Sequence, residues 1–178
     1  MPTKPTLHVP QARLRPAGAA DLHQLCALLW HEAVRVYLCD DTILPRDIVE
    51  GMLARSDRLD SEQLGLWMIE TDRTCVGCAG LQPVGEAAAI DKTIAGGVEP
   101  LIALRPEARR QGIATAAIEA LASHAKQACG LETLVAAVDV PNEDSHRLMR
   151  ACAFKEIGQG PGPKHTLVFY ERYLDARP

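Results

Sequence analysis

Two apolar stretches, Val98 to Leu104 and Leu131 to Val140, frame a segment in which Ala117, Ile118, Leu121, Ala122 and Ala125 recur at helical spacing. This arrangement constrains the chain most, because a strand, a helix and a second strand in succession place the two strands parallel and buried. Gly130 ends the helix. Where the first strand gives way to the helix, the chain reads Arg109-Arg110-Gln111-Gly112-Ile113-Ala114. A helix start leaves backbone N–H groups without intrahelical partners. The amides of Gln111, Gly112, Ile113 and Ala114 are therefore expected to converge on one anion site, reinforced by the helix dipole and the arginines. Gly112 lets an anion approach the backbone, and Thr115 can add a hydroxyl donor. The loop is short, so one diphosphate is its natural guest.

The rest of the chain arranges itself around this centre. Residues 1–11, with Pro2, Pro5 and Pro10 and no periodic apolar face, read as a flexible arm, and 12–178 as a single domain. After a short strand at Arg13 to Arg15, Asp21 caps a helix, with Gln24 in the capping-box position and a stripe of Leu22, Leu25, Cys26, Leu29 and Ala33. A loop, Asp40 to Leu44, leads to Pro45 and a second helix carrying Ile48, Val49, Met52 and Leu53. Leu64 to Glu70 and Thr74 to Leu81 read as an antiparallel hairpin turning at Thr71-Asp72-Arg73. Ala87 to Gly97 reads as a loop with strand character. Pro141-Asn142 opens a short helix running through Ala151, Gly158 to Pro163 reads as a loop, and Thr166 to Leu174 is the last strand.

Composition narrows the function classes. With 178 residues, 47% hydrophobic and 24% charged, the chain is long enough to bury a core of its own. Nineteen basic and 23 acidic residues give a net charge of -4, so no global positive field exists to hold nucleic acid or an anionic membrane. No apolar run approaches the roughly 18 residues of a membrane span, and Met1 to Pro10 contains no signal-peptide core. A cytoplasmic location is the expectation. The six cysteines are scattered among apolar neighbours, which predicts free thiols. Cys75-Val76-Gly77-Cys78 has C-x-x-C spacing, but residues three apart on a regular strand point to opposite faces and no second pair exists. The histidines show no ligand spacing, so no metal is expected.

The segment Arg109 to Ala114 resembles the Gln/Arg-x-x-Gly-x-Gly/Ala pattern of the GNAT superfamily of N-acetyltransferases, with Arg109, Gly112 and Ala114 at its fixed positions. The likeness extends outward to Glu99, Pro106 and Glu107 before the loop and to Asn142 after the next strand, and the order of elements from Arg13 to Leu174 agrees. The resemblance implies an α/β fold of α+β type: a central mixed, mostly antiparallel sheet of about six to seven strands with a splayed parallel pair, flanked by about four helices. It implies acetyl-CoA as co-substrate and no metal. The diphosphate would lie on Arg109, Arg110, Gln111, Gly112, Ile113, Ala114 and Thr115, and the pantetheine arm along Ile102, Ala103 and Leu104, with Asn142 a further contact. An Asn after Pro is also a plain helix cap.

The same resemblance implies a transferase that acetylates a primary amine by direct attack in a ternary complex. An ammonium of pKa about 10.4 must first lose a proton, and Glu99 is the candidate base, although a glutamate at a strand edge is also ordinary. A backbone N–H at Leu104 is the candidate oxyanion donor. The family's tyrosine that protonates the leaving thiolate falls at Met149, with His146, Cys152 and Tyr170 as nearby substitutes. The acceptor, a small-molecule or protein amine, carries no signature, although Tyr37, Asp40 and Asp41 fall where acceptor pockets form. Assembly as a homodimer is left open. Two rivals stand beside this reading. One is a non-catalytic acyl-CoA-binding or regulatory protein on the same fold. The other, a nucleotide-phosphate enzyme, lacks both the G-x-x-x-x-G-K-[ST] loop and G-x-G-x-x-G.

Overall fold

Long apolar runs at the centre of the sequence become strands buried on both faces, and the rest of the chain is laid against those faces. The computed structural model describes residues 3–72, 74–84 and 92–174. An antiparallel sheet contains β1 (Leu7–Val9), β2 (Ala12–Pro16), β3 (Gly65–Thr71), β4 (Thr74–Pro83) and β5 (Val98–Leu104) in that order. A second sheet holds β6 (Thr133–Asp139), β7 (Lys155–Pro161) and β8 (Thr166–Tyr173), with β8 in the middle. The α-helices are α1 (Leu22–Leu29), α2 (Glu32–Leu38), α3 (Arg46–Leu59), α4 (Ile113–Gln127) and α5 (Glu143–Ala151).

Alternation along the strands sorts side chains onto two cores. Trp67 and Ile69 on β3, with Val98 and Leu104 on β5, pack against Ile118 and Leu121 of α4. Leu66 and Met68, with Cys78 and Ala103, pack against Leu25 of α1 and Val49 of α3. The first sheet therefore has α4 on one side and α1 to α3 on the other.

β5 and β6 run alongside each other without a ladder. A Cβ built on Gly97 would lie 2.5 Å from Val135, and the Glu99 carboxylate reaches the Ala137 amide, so the two strands advance in the same direction. The parallel pair is present, but as neighbouring edges of two sheets instead of strands within one. The described residues hold eight strands and five α-helices, one more of each than the upper expectation.

Several expectations are corrected. The expected flexible arm is part of the fold from Lys4 to Val9: β1 pairs with β2, Trp67 Nε1 donates to the Pro5 carbonyl at 2.8 Å, and the Lys4 ammonium meets Asp60 at 3.0 Å. The apolar alternation here is only Leu7 and Val9, which pack against the α4 core and are too few to announce a strand; the rest of the segment is held by polar contacts. The expected first helix is two: α1 stops after Leu29, and His31, extended at ψ 128°, caps α2 by accepting from the Ala33 amide at 3.2 Å. Asp21 does not cap α1 with its side chain but accepts from the Gly18 amide and from Arg15. Burial pushes the Asp21 carboxyl up, but the paired Arg15 and the Gly18 amide outweigh it and leave its pKa below the ordinary value. The expected loop at Gly158 to Pro163 is largely β7, an edge strand that tolerates glycine because its outer face is exposed.

On β4 a register shift opposite Ile69 and Glu70 leaves Val76 as an extra residue. Cys75 and Cys78 consequently pack on the same core, not on opposite faces. All six cysteines are free thiols, and burial pushes Cys78 up to about 12. The expected turn residue Arg73 and the 87–91 part of the Ala87 to Gly97 segment lie outside the described residues.

The Lys4 side chain is 1% exposed, hydrogen-bonded to Ser56 at 3.4 Å and seated 5.4 Å from the Trp67 ring centre. Lys4→Ala removes the ammonium from Asp60 and Ser56, which keep only the backbone amides of residue 4 and Leu66, and uncovers Trp67. Urea unfolding should show a loss of about 2 kcal/mol at unchanged m.

Candidate functional site

The loop between β5 and α4 is shaped by backbone conformation more than by charge. A 3-10 turn at Pro106–Ala108 is followed by Arg110 at φ 59° and Gly112 at φ 78°, both left-handed, and Gly112 is the N-cap of α4. The first intrahelical bond runs from the Ala116 amide to the Gly112 carbonyl at 3.0 Å, so the amides of Ile113, Ala114 and Thr115 precede it. The first turn contains no acidic side chain. A Cβ placed on Gly112 would meet nothing within 4 Å, so the space above these amides is open.

Arg109 serves a purpose the sequence did not suggest. Its Nε donates to the Leu104 carbonyl at 3.2 Å and its Nη2 to the Ala33 carbonyl at 2.7 Å. Much of its donor capacity therefore ties the end of β5 to α2. Gln111 reaches back to the Glu107 carbonyl at 2.9 Å.

Strand β5 offers its second edge to this space. The Arg105 amide bonds the Val76 carbonyl at 2.8 Å, which makes Val76 and Arg105 a hydrogen-bonded pair of the antiparallel ladder. Pairs alternate, so Leu104 opposite Gly77 and Ile102 opposite Ala79 turn their N–H and C=O groups away from β4 and toward β6. Ala103, opposite Cys78, commits its backbone groups to β4. Of the three residues named from the sequence, Ile102 and Leu104 have backbone groups on the open edge, and Ala103 does not.

A cleft of about 890 Å³ lies where the β5 and β6 edges separate. Gly112, Thr115, Asn142, Ser145 and Met149 line it toward α4 and α5, and Tyr37, Asp40, Gln82, Glu99 and Asp139 toward α2 and the β7–β8 hairpin. Ile102 and Leu104 belong with the α4 core, while Leu101 and Ala103 belong with the α1 to α3 core. Glu99 shares the second face by alternation. The opening thus passes from one face of the first sheet to the other.

Glu99 Oε1 accepts from the Ala137 amide at 2.8 Å. Burial pushes its carboxyl above the ordinary 4.5, and the amide bond only partly opposes that shift. Asn142 caps α5 by accepting from the Ser145 amide at 3.2 Å and also lines the cleft. The α2 helix crosses the opening, held by Arg109 near its start and by Tyr37, whose hydroxyl donates to the Pro141 carbonyl at 3.2 Å, near its end.

Met149 lines the cleft, and none of its proposed substitutes does. His146 is buried: its Nε2 faces the carbonyls of Asp139 and Val140 at 3.1 and 3.2 Å, and its Nδ1 faces the Tyr170 hydroxyl at 2.8 Å. Two carbonyls require a donor, so Nε2 carries hydrogen and Tyr170 donates to Nδ1 in the neutral ring. Cys152 is fully buried in the core against α4, and burial pushes its thiol up to about 11. Asp139 and the crossing of α2 were missed. The signal for Asp139 was available, since a carboxylate ending an apolar strand two residues past Ala137 shares its face.

Comparison with known proteins identifies the family and the fold. The sequence matches the acetyltransferase (GNAT) family over residues 22–154. RimL, a ribosomal alpha-N-protein acetyltransferase solved in complex with coenzyme A, superposes with a TM-score of 0.79 at 17% identity, over 97% of this chain and 100% of that one. An acetyltransferase from Agrobacterium tumefaciens gives 0.76 at 20% identity, over 94% of each chain. The protein yncA from Salmonella typhimurium, solved with its cofactor acetyl-CoA, gives 0.73 at 20% identity, over 93% of this chain and 95% of that one. A search of curated proteins finds no significant match. The family match spans most of the chain, including the β5–α4 loop, the opening beside it and Asn142, and on that ground the chain belongs to the GNAT family of acetyltransferases.

Proposed function

We propose that this protein transfers the acetyl group of acetyl-CoA to a primary amine by direct attack within a ternary complex. One observation carries the proposal: the open edge of β5 leads to the bare N-terminus of α4 on one face, while Glu99 stands at the same opening on the other. The likeness to structures that bind CoA or acetyl-CoA supports the choice of co-substrate.

The residues fit such a donor. Amides of Ile113, Ala114 and Thr115, with those of Gln111 and Gly112, are suited to a diphosphate, and the open space at Gly112 leaves it room. Arg110, which also lines the cleft, adds positive charge there, as Arg109 does from its fixed position. The N–H and C=O groups of Ile102 and the N–H of Leu104, whose carbonyl already accepts from Arg109, offer an extended amide-bearing arm partners a neighbouring strand would have. Asn142 stands on the opposite wall. The donor supplies an activated acyl carbonyl.

Glu99 takes the proton of the incoming ammonium, and its raised pKa brings it nearer to neutrality, where a base transfers protons most effectively. The Leu104 amide is placed to stabilise negative charge growing on the carbonyl oxygen. With Met149 lining the cleft, the leaving thiolate takes, through water, the second proton that the acylated nitrogen sheds, which a thiol of pKa about 8.5 permits. Met149 also favours the second reading, a protein that binds acyl-CoA without catalysis. That reading requires CoA binding with no thiol release in the presence of any amine.

Two substitutions separate the parts. Gly112→Val puts a branched side chain at φ 78° and into the diphosphate space, and calorimetry should show CoA affinity weakened roughly a hundredfold, about 3 kcal/mol. Unchanged affinity would remove the loop from donor binding. Glu99→Gln keeps an oxygen for the Ala137 amide but cannot take a proton, so the melting temperature should hold while kcat/KM falls by about a hundredfold or more. For the unaltered protein, kcat/KM should rise with pH along a limb centred above 4.5, as Glu99 loses its proton. A variant that keeps full activity and the same limb would exclude Glu99 as the base.

A further inference from the structure

Gln82 lines the cleft beside Glu99, and its side chain makes no hydrogen bond to a described residue. It stands directly opposite Glu99 in the β4–β5 ladder, so the two side chains rise from the same face of the sheet. Directly opposed residues of an antiparallel pair have Cβ atoms roughly 4.5–5.5 Å apart. β3 begins at Gly65, opposite Leu81, so Gln82 lies one residue past the end of that strand. Arg55 holds the following residue by donating to the Pro83 carbonyl at 3.2 Å.

The Gln82 amide folds back along β4 over Gly80, where a built Cβ would lie 3.4 Å from Nε2. Gly80 is opposite Leu101, so the amide leans from Glu99 toward the part of β5 where Ile102 and Leu104 open their backbone groups. Both of its polar atoms stay accessible, and a half-turn of the amide presents either the oxygen or the nitrogen. Glu99 is placed alike: Oε1 is taken by the Ala137 amide, and Oε2 is unbonded and accessible.

An amine attacking a carbonyl carbon is tetrahedral. Its carbon chain takes one direction, its lone pair points at the acyl carbon, and two hydrogens take the other two. Two acceptors, each about 2.9 Å from one nitrogen and set at the tetrahedral angle, stand roughly 4.7 Å apart. That span matches the spacing of opposed side chains on β4 and β5. Holding both hydrogens aims the lone pair. A neutral amide suits the second position, because it accepts an N–H without the charge that would favour the ammonium form.

We propose that the Gln82 side-chain carbonyl accepts one hydrogen of the acceptor amine while Glu99 faces the other, so that the pair aims the nitrogen at the thioester and selects primary over secondary amines. This rests on the acetyl-transfer reading above and adds to it a specificity-determining residue. A secondary amine sets a carbon against one of the two acceptors and leaves that acceptor unpaired in the closed site.

Initial rates with acetyl-CoA are measured for butylamine, phenethylamine and a short peptide with a free N-terminus, each beside its N-methyl counterpart. Each primary amine that is acetylated should exceed its N-methyl form in kcat/KM by at least about tenfold. Gln82→Met keeps the length of the side chain and removes the carbonyl, so crowding of the N-methyl group is preserved while the accepted hydrogen bond is lost. In that variant the ratio should fall about tenfold, mainly through kcat of the primary amine, with melting temperature and CoA affinity unchanged. Gln82→Glu keeps an oxygen at the same reach and should retain the ratio. Equal use of primary and N-methyl amines by the unaltered protein, an undiminished ratio in Gln82→Met, or a ratio lost as fully in Gln82→Glu as in Gln82→Met would each overturn the inference while leaving acetyl transfer intact. No transfer to any of these or to a wider amine panel, with CoA still bound, would overturn the transfer reading itself.

Discussion

Between β5 and β6 a side-chain carboxylate stands where a strand carbonyl would otherwise accept, and the Glu99 to Ala137 bond of 2.8 Å links the two strands. Unmade backbone hydrogen bonds inside a fold cost about 1–3 kcal/mol each, so an open pair of edges persists only if the flanking structure holds both strands. Here β4 holds β5 through a register extending from Gly77 opposite Leu104 to Pro83 opposite Val98, and β8 holds β6 along its whole length. The α2 helix spans the gap, pinned by Arg109 and Tyr37. The cleft is thus a consequence of how the sheets end, and each residue lining it inherits its position from an element whose own packing is complete.

The opening is electrically polarised. One end presents helix-terminal amides and Arg110, the other Glu99, Asp139 and Asp40. On the proposed reading, an anionic donor and a cationic acceptor would be sorted by this field without a moving part. Arg109 contributes to this field from a fixed position, because two neutral carbonyls already occupy its nitrogens.

How much of this could be read in the sequence follows from the range of the forces involved. The β5–α4–β6 succession was legible, because burial on both faces demands continuous apolar strands and a helix of regular period. Gly112 was legible as well, since a left-handed N-cap under an open space favours the residue without a side chain. The break at His31 was not, because the apolar stripe continues through it and only the cap geometry divides α1 from α2. The packed segment from Lys4 to Val9 was hidden for a related reason, its contacts with Trp67, Ser56 and Asp60 being more than fifty residues distant. Local pattern cannot encode a bulge such as that at Val76, nor which strand edge stays open, since both are properties of pairing. At the site, Glu99 was named from family likeness, while Asp139 and the diversion of Arg109 to backbone carbonyls emerged only from the assembled sheets.

The passage through the sheet has a further consequence for the donor. The unpaired amides at the start of α4 lie on one face, and Glu99 lies on the opposite one, with the backbone of β5 between them. On the proposed reading, a thioester carried on a short stem would be anchored correctly yet never emerge beside the acceptor. The thickness of one sheet acts as a gauge, and the arm joining diphosphate to sulfur must be long and thin enough to thread it.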